Sequence, residues 1–347
     1  MAPLRHFHAQ SRFCALRQAL SERFVVEWRF RSKGEALEIL IIMCVGVAIG
    51  ATVFPDALKG ANEKLTLAST GLLIFSMGAM LGGRDAFLEE LVSLGLSSLA
   101  FAVFPIVLSV VCVYILTRLF LRDITDRHER DAAQAASEGG QGAGSETVMI
   151  IMAVGSLALG IAYGLSHLGL RPLDWIVEHS DWILMALMFF VGISVGGSKG
   201  LLAKIREYHV RALIIPFGIL VGSIAGGLLA APLCGIPLPV GGAIASGLGW
   251  YSLSGVMLTG IAGAHIGSIT FMANLLRELI SFFTIPWIAR HLNYPTCIAP
   301  AGATSEDTTL PMMIRCTNEE TVVLSVINGV ILSALVPVLI ELFHTFM

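Results

Sequence analysis

Charge is the scarcest resource in this sequence: Asp, Glu, Lys and Arg together supply 14% of 347 residues, while hydrophobic residues supply 55%. Soluble domains carry about 25% charged residues, so most of this chain is built to meet lipid rather than water. The near-balance of that charge, a formal net of -3, leaves no basic surface for nucleic acid. The six cysteines, Cys14, Cys44, Cys112, Cys234, Cys297 and Cys316, are scattered without a C-x-x-C pair. Most lie in or beside apolar segments, where cysteine acts as a small hydrophobe. Metal-ligand clusters are missing as well, His6 and His8 standing alone near the N-terminus, so neither a metal nor another cofactor is expected. H-E-x-x-H is absent, and an intramembrane hydrolase would have to assemble Ser252, Ser254, His265 and Asp307 from separate segments. His265, next but one to Gly267, reads as a packing residue near a helix start, and no enzymatic activity is expected.

Long apolar runs are what the chain has in quantity. A spanning helix needs about 20 apolar residues, and candidate stretches lie at 37–55, 66–83, 93–121, 147–169, 182–197, 210–233, 239–263, 264–289 and 321–345. The stretch 239–263 departs from a plain span, because Ser246-Gly-Leu-Gly-Trp-Tyr-Ser-Leu-Ser-Gly255 concentrates residues that weaken helices. It reads as a broken or re-entrant element. The expected fold is an all-α polytopic membrane protein with about eight transmembrane helices plus this glycine-rich element. Short linkers rich in Lys and Arg stay cytoplasmic. Lys59, Lys64, Arg118, Arg122, Arg127, Arg130, Lys199, Lys204, Arg206 and Arg211 fall in alternate linkers, with only Arg84 and Arg171 in the others. This places the N-terminus outside, although seven basic residues in the tail 1–36 vote the other way.

Composition divides the chain into an amphipathic basic tail (1–36), a first three-span unit (37–122), a polar Gly-rich linker (123–146), a second three-span unit (147–233) and a C-terminal region (234–347). The two units resemble each other. Ile41-Ile42-Met43-x-Val45-Gly46 recurs as Ile150-Ile151-Met152-x-Val154-Gly155, and Phe75-x-x-Gly78-x-x-x-Gly82-Gly83 recurs as Phe189-x-x-Gly192-x-x-x-Gly196-Gly197. Matched elements three spans apart cross the membrane in opposite senses, the pattern of an inverted repeat in transporters. Small-residue packing between helices produces similar spacings.

Polarity inside a span is costly and so marks function. Asn274, Arg277 and Glu278 interrupt an otherwise apolar helix that runs to Pro286. Adjacent helical residues diverge by about 100°, so Arg277 and Glu278 need separate partners, whereas Asn274 and Glu278 share a face. They are either buried structural ions or groups that handle a ligand or a proton. A second polar run, Ala301-Gly-Ala-Thr-Ser-Glu-Asp307-Thr-Thr-Leu-Pro311, is by composition a solvated loop before it is a re-entrant lining. Ser252, Ser254 and the free backbone groups of a broken helix are suited to an amino-acid head group. Trp250 and Tyr251 face a cation or sit at the interface.

Ala245-Ser-Gly-Leu-Gly-Trp-Tyr-Ser-Leu-Ser-Gly255, Ile266-Gly-Ser, Asn274 with Arg277-Glu278-Leu-Ile280, Pro286 and Gly302-Ala-Thr-Ser-x-Asp307-x-Thr-Leu-Pro311 together resemble the bacterial lysine exporter LysO family. The motifs cover about 245–311, and the remainder agrees in its pattern of spans. The resemblance implies export of L-lysine across the bacterial inner membrane by eight spans with both termini outside. It also turns Asp307 from a loop residue into an intramembrane acid and makes Glu278 the leading site residue. The expected mechanism is antiport: Glu278 and Asp307 take the lysine ammonium groups and the counter-proton. Ser252, Ser254 and nearby helix ends receive the carboxylate, with Asn274, Arg277, Tyr251 and Thr304 completing the site. A passive channel for small cations and an exporter of another small amino acid are the competing expectations, and no fourfold filter signature supports the channel.

Overall fold

The computed structural model describes residues 41–83, 94–121, 141–166, 168–197 and 212–347. The tail 1–36, most of the 123–146 linker, and Arg84, Arg122, Arg127, Arg130, Lys199, Lys204, Arg206 and Arg211 of the linker charges lie outside the described residues. Helices dominate: α1 (Ile41–Thr52), α2 (Lys59–Gly82), α3 (Gly95–Phe120), α4 (Gln141–Ser166), α5 (Arg171–Glu178), α6 (Ser180–Gly196), α7 (Ile214–Leu233), α8 (Leu238–Ala245), α9 (Tyr251–Ala262), α10 (Ala264–His291), α11 (Ile298–Ala301), α12 (Leu310–Cys316) and α13 (Glu319–His344). α4 begins inside the stretch that composition assigns to the linker.

Among the described residues, α2, α3, α7, α10 and α13 are each long and apolar enough to cross a bilayer, and α4 with α5 is together apolar enough for a broken span or a re-entrant loop, with a bend of 113° between them. On α3 the residues Leu99, Val103, Val107, Val111 and Ile115 recur every four positions and are exposed, a lipid-facing stripe of the kind this spacing produces. The chain is an all-α multi-pass membrane protein.

Lipid tails are as apolar as leucine, so helices in a bilayer gain little from mutual burial and associate through close packing and hydrogen bonds. Glycine provides that closeness here. A Cβ on Gly78 would stand 2.7 Å from the Leu157 carbonyl oxygen, and one on Gly160 would stand 2.2 Å from that of Phe75. On the other side a Cβ on Gly192 would stand 2.4 Å from the Met43 oxygen, and one on Gly46 2.5 Å from that of Phe189. These contacts are copies of one another: Gly46, Gly50, Phe75, Gly78 and Gly82 map onto Gly160, Gly164, Phe189, Gly192 and Gly196 at one constant spacing. The α2–α4 seam is thus the α1–α6 seam repeated.

The senses of the helices follow from the same contacts. Asn62 at the start of α2 donates to the Phe190 oxygen and Ser194 Oγ in the second half of α6, both at 2.9 Å, while Ser76 near the end of α2 reaches the Ile176 oxygen at 3.4 Å on α5, the helix that leads into α6. α2 therefore runs antiparallel to α6, whereas α1 runs parallel to α6 and α4 parallel to α2. Each helix opposes its repeat mate, as an inverted repeat requires. One register needs correction. The Ile-Ile-Met match pairs Gly46 with Gly155, yet a Cβ on Gly155 would meet nothing within 4 Å; the packing counterpart of Gly46 is Gly160. Apolar identities on a lipid-bathed helix carry no register, whereas glycines at a backbone crossing do.

The third members, α3 and α7, pack antiparallel, with Gly226 against Pro105 and Gly222 against Ser109. Ser109 and Ser223 are related by the same constant spacing, and their hydroxyls hydrogen-bond to each other at 2.9 Å. That is where residues on a pseudo-two-fold axis must meet.

Gly160→Val is expected to lower stability by at least about 1–3 kcal/mol through overpacking, and Gly155→Val to change it little. Thermal unfolding of the detergent-solubilised variants compares the two.

Candidate functional site

Two interrupted helices cross in the C-terminal region. The first is α8, a turn through Ser246–Trp250, and α9; Leu248 and Gly249 there adopt left-handed φ values of 51° and 101°. The second is α11, a 3-10 turn over Gly302–Glu306, and α12, with Gly302 at φ 65°. At the crossing the Ala303 N–H donates to the Leu248 oxygen at 2.9 Å. A Cβ on Gly302 would stand 2.3 Å from that oxygen, so only glycine fits.

A helix break frees backbone N–H and C=O groups, each costing several kcal/mol in lipid unless it is bonded. Two asparagines answer the need. Asn274 Nδ2 donates to the Ile244 and Thr270 oxygens at 3.2 and 3.0 Å, and its Oδ1 accepts the Gly249 N–H at 2.8 Å. Asn328 Nδ2 donates to the Gly302 oxygen and Ser305 Oγ, both at 2.9 Å. Asn328 follows Gly302 at the spacing at which Asn274 follows Leu248, so left-handed turn and asparagine staple occur twice, on α8–α10 and on α11–α13. Ser305 and Ser325 exchange hydroxyl-to-carbonyl bonds at 2.9 and 2.7 Å, tying the second break further to α13.

Arg277 is 1% exposed, and each of its nitrogens has an acceptor: Nε the Pro300 oxygen at 3.0 Å, Nη2 the Ala299 oxygen at 3.2 Å and Nη1 Ser223 Oγ at 2.8 Å. The guanidinium is thus solvated by carbonyl dipoles of α11 and by the pseudo-axis serine pair.

Glu278 points elsewhere, as adjacent helical positions dictate. It is 1% exposed; Oε1 accepts a hydrogen bond from the Thr308 hydroxyl, and Oε2 is buried without a hydrogen-bond partner among the described residues. Asp307 Oδ1 accepts the Thr308 N–H at 2.5 Å and lies 3.2 Å from the Thr308 hydroxyl. The carboxylates of α10 and of the second break therefore converge on one threonine. Tyr251, at the start of α9, stacks edge-on against Phe271 with centroids 5.2 Å apart and lies within electrostatic reach of both acids.

The remaining expected residues hold backbone or face outward. Ser254 donates to the Trp250 oxygen at 2.8 Å, Thr304 donates to the Ala301 oxygen at 3.0 Å beside Gly249, and Ser252 is exposed. Trp250 packs against the hydrophobic core. The solvated loop that composition favours for 301–311 is overturned: Ala301–Ser305 and Thr308–Pro311 are buried, because the hydroxyls find carbonyl and carboxylate acceptors inside the bundle. Among the described residues no group of His, Cys, Asp and Glu is placed to hold a metal ion.

Sequence reasoning missed Thr308, Ser223, Asn328 and Glu306, the last of which accepts from Ser333 at 3.1 Å. Asn328 had a signal in its spacing from Gly302, and Ser223 had one in its repeat relation to Ser109. Thr308 had none beyond membership of a hydroxyl-rich run. Arg277→Met strips buried carbonyls of their donors and is expected to cost at least about 2 kcal/mol of stability, seen as a lower unfolding temperature in detergent.

Comparison with known proteins identifies relatives of the chain. A family profile described as "Lysine exporter LysO" matches residues 154–344. The protein named "Lysine exporter LysO" from Escherichia coli (strain K12) is 34% identical over 313 residues, covering 88% of this chain and 98% of that protein. A protein named "Putative lysine exporter" from Haemophilus influenzae (strain ATCC 51907 / DSM 11121 / KW20 / Rd) is 34% identical over 165 residues, covering 48% of this chain and 84% of that protein. No solved structure matches. With that likeness running nearly end to end, and the profile covering both broken elements and α10, the chain belongs to the LysO lysine exporter family.

Proposed function

We propose that this protein exports L-lysine from the cytoplasm across the bacterial inner membrane in exchange for protons, and that Glu278 and Asp307 bind the two cations in turn. The observation that carries the reading is Glu278: a carboxylate 1% exposed inside the bundle, one oxygen held by Thr308 and the other without a hydrogen-bond partner among the described residues. A buried carboxylate with a vacant oxygen attracts a cation, and either an ammonium group or a proton can meet that demand. Family membership supports lysine as the cation's source.

Energetics favour exchange over passive flow. Moving one positive charge outward against an inside-negative potential costs about 2.3 kcal/mol per 100 mV. A passive path would therefore import lysine. One proton inward for one lysine outward cancels the electrical cost and leaves the proton gradient as the driving force.

Around the acids the other groups divide the work. Asn274 and Arg277 spend their hydrogen bonds on the frame, fixing the two broken elements against α10 and α7. The exposed hydroxyl of Ser252 and the polar first turn of α9 are open to the lysine carboxylate. Tyr251 presents an aromatic face near both acids, suited to an alkylammonium, while Ser254 and Thr304 hold the backbone about the crossing.

The test is lysine transport by the purified protein in liposomes, with a panel of other amino acids as competitors. Lysine movement is expected to accelerate when a proton gradient drives protons in the opposite direction. Glu278→Gln is expected to cut transport at least tenfold while the protein still elutes as folded material. Equal rates with and without the gradient sink the exchange, and retained transport in Glu278→Gln sinks the role of that residue. Ion currents far above carrier turnover in a planar bilayer would replace a carrier with a channel.

A further inference from the structure

Thr308 makes three polar contacts with the two acids, and the proposed exchange assigns it no part. Its hydroxyl donates to Glu278 Oε1, the same hydroxyl lies 3.2 Å from Asp307 Oδ1, and its N–H donates to that oxygen at 2.5 Å. A hydroxyl has one proton to donate, so it can serve one carboxylate at a time. The backbone N–H keeps Asp307 in place whichever way the hydroxyl turns, and rotation about the Cβ–Oγ1 bond redirects the proton between the two oxygens.

We infer that Thr308 is a positioning residue that couples the two carboxylates, its hydroxyl moving from Glu278 to Asp307 when Glu278 receives a cation. This inference rests on the exchange proposed above and adds the group that makes two acids behave as one site. While Glu278 is charged and empty, it draws the hydroxyl. Once an ammonium group or a proton satisfies Glu278, the hydroxyl turns to Asp307 and supports the charge there. No bond to the threonine oxygen breaks and no proton leaves it, so the step only redirects a hydrogen bond.

Among the described residues, few titratable and charged groups surround Thr308. α10 presents Glu278 and Arg277, and Arg277 is turned toward Pro300, Ala299 and Ser223. α9 presents Tyr251, and the break itself carries Asp307 and Glu306. Glu306 is engaged by Ser333 on α13, which packs Gly329 against the Glu306 side chain. Asp307 is thus the second acceptor within reach of the Thr308 hydroxyl.

The experiment compares Thr308→Val, which keeps the shape and removes the hydroxyl, with Thr308→Ser, which keeps the hydroxyl. Radiolabelled lysine transport is measured in liposomes against pH for both variants and the unaltered protein. Removing a donor from a carboxylate favours its neutral form, so Thr308→Val is expected to move the pH of half-maximal transport up by about one unit or more. Thr308→Ser is expected to restore the original profile. A Thr308→Val profile that overlays the unaltered one overturns the coupling and leaves the exchange intact. A Thr308→Ser profile displaced as far as that of Thr308→Val also overturns it, since the methyl group would then be the active part. If the unaltered protein moves lysine without regard to the proton gradient, the exchange fails and this inference with it.

Discussion

The hydrogen bond from the Ala303 amide to the Leu248 carbonyl, where two interrupted helices cross, is the constraint around which this molecule is arranged. Interrupting a helix inside a bilayer is prohibitive unless each freed backbone group is bonded within the protein. Most of the buried polarity near the crossing answers that demand. Asn274 and Asn328 staple the two turns, Ser305 and Ser325 lock the second turn to α13, and the Arg277 guanidinium gathers the carbonyls beside it. Once those debts are met, Glu278 and Asp307 stand out as groups the frame does not use up.

The frame has an internal economy of its own. Inverted units place α1 on α6 and α2 on α4 through glycines that leave backbone against backbone, and α3 and α7 meet on the pseudo-axis at Ser109 and Ser223. Arg277 reaches that axis from α10 through Ser223. One buried cation thereby joins the repeat units to the broken elements, while its neighbour in sequence turns away from it toward Thr308. A difference of about 100° around one helix separates the cation of the frame from the carboxylate to which we assign the exchange.

Much of this was legible in the sequence, for physical reasons that differ by residue. The breakage at 246–250 was visible because glycines and serines in an apolar run have no reason to be there as a plain span. Arg277 and Glu278 were visible because ions are expensive in lipid. The second break was hidden: 301–311 has the composition of a surface loop, and only partners distant in the chain, Asn328 and Ser325 above all, make it an interior element. The pairing of Gly46 with Gly155 went astray because apolar identities are abundant on lipid-facing helices and say nothing of what crosses behind them. Thr308 could not be singled out among its neighbouring hydroxyls, since its importance comes from an acid thirty positions earlier in the chain.

The glycine seams have a consequence for how this protein can change. At Gly46, Gly78, Gly160 and Gly192 the atom in the way of any larger residue is a main-chain oxygen on the facing helix. Every amino acid carries that oxygen. A substitution at one of these positions therefore has no second-site suppressor among the side chains opposite it, because trimming the neighbour removes nothing that clashes. Relief can come only from moving a whole helix, and with it the units that hold the crossing in register.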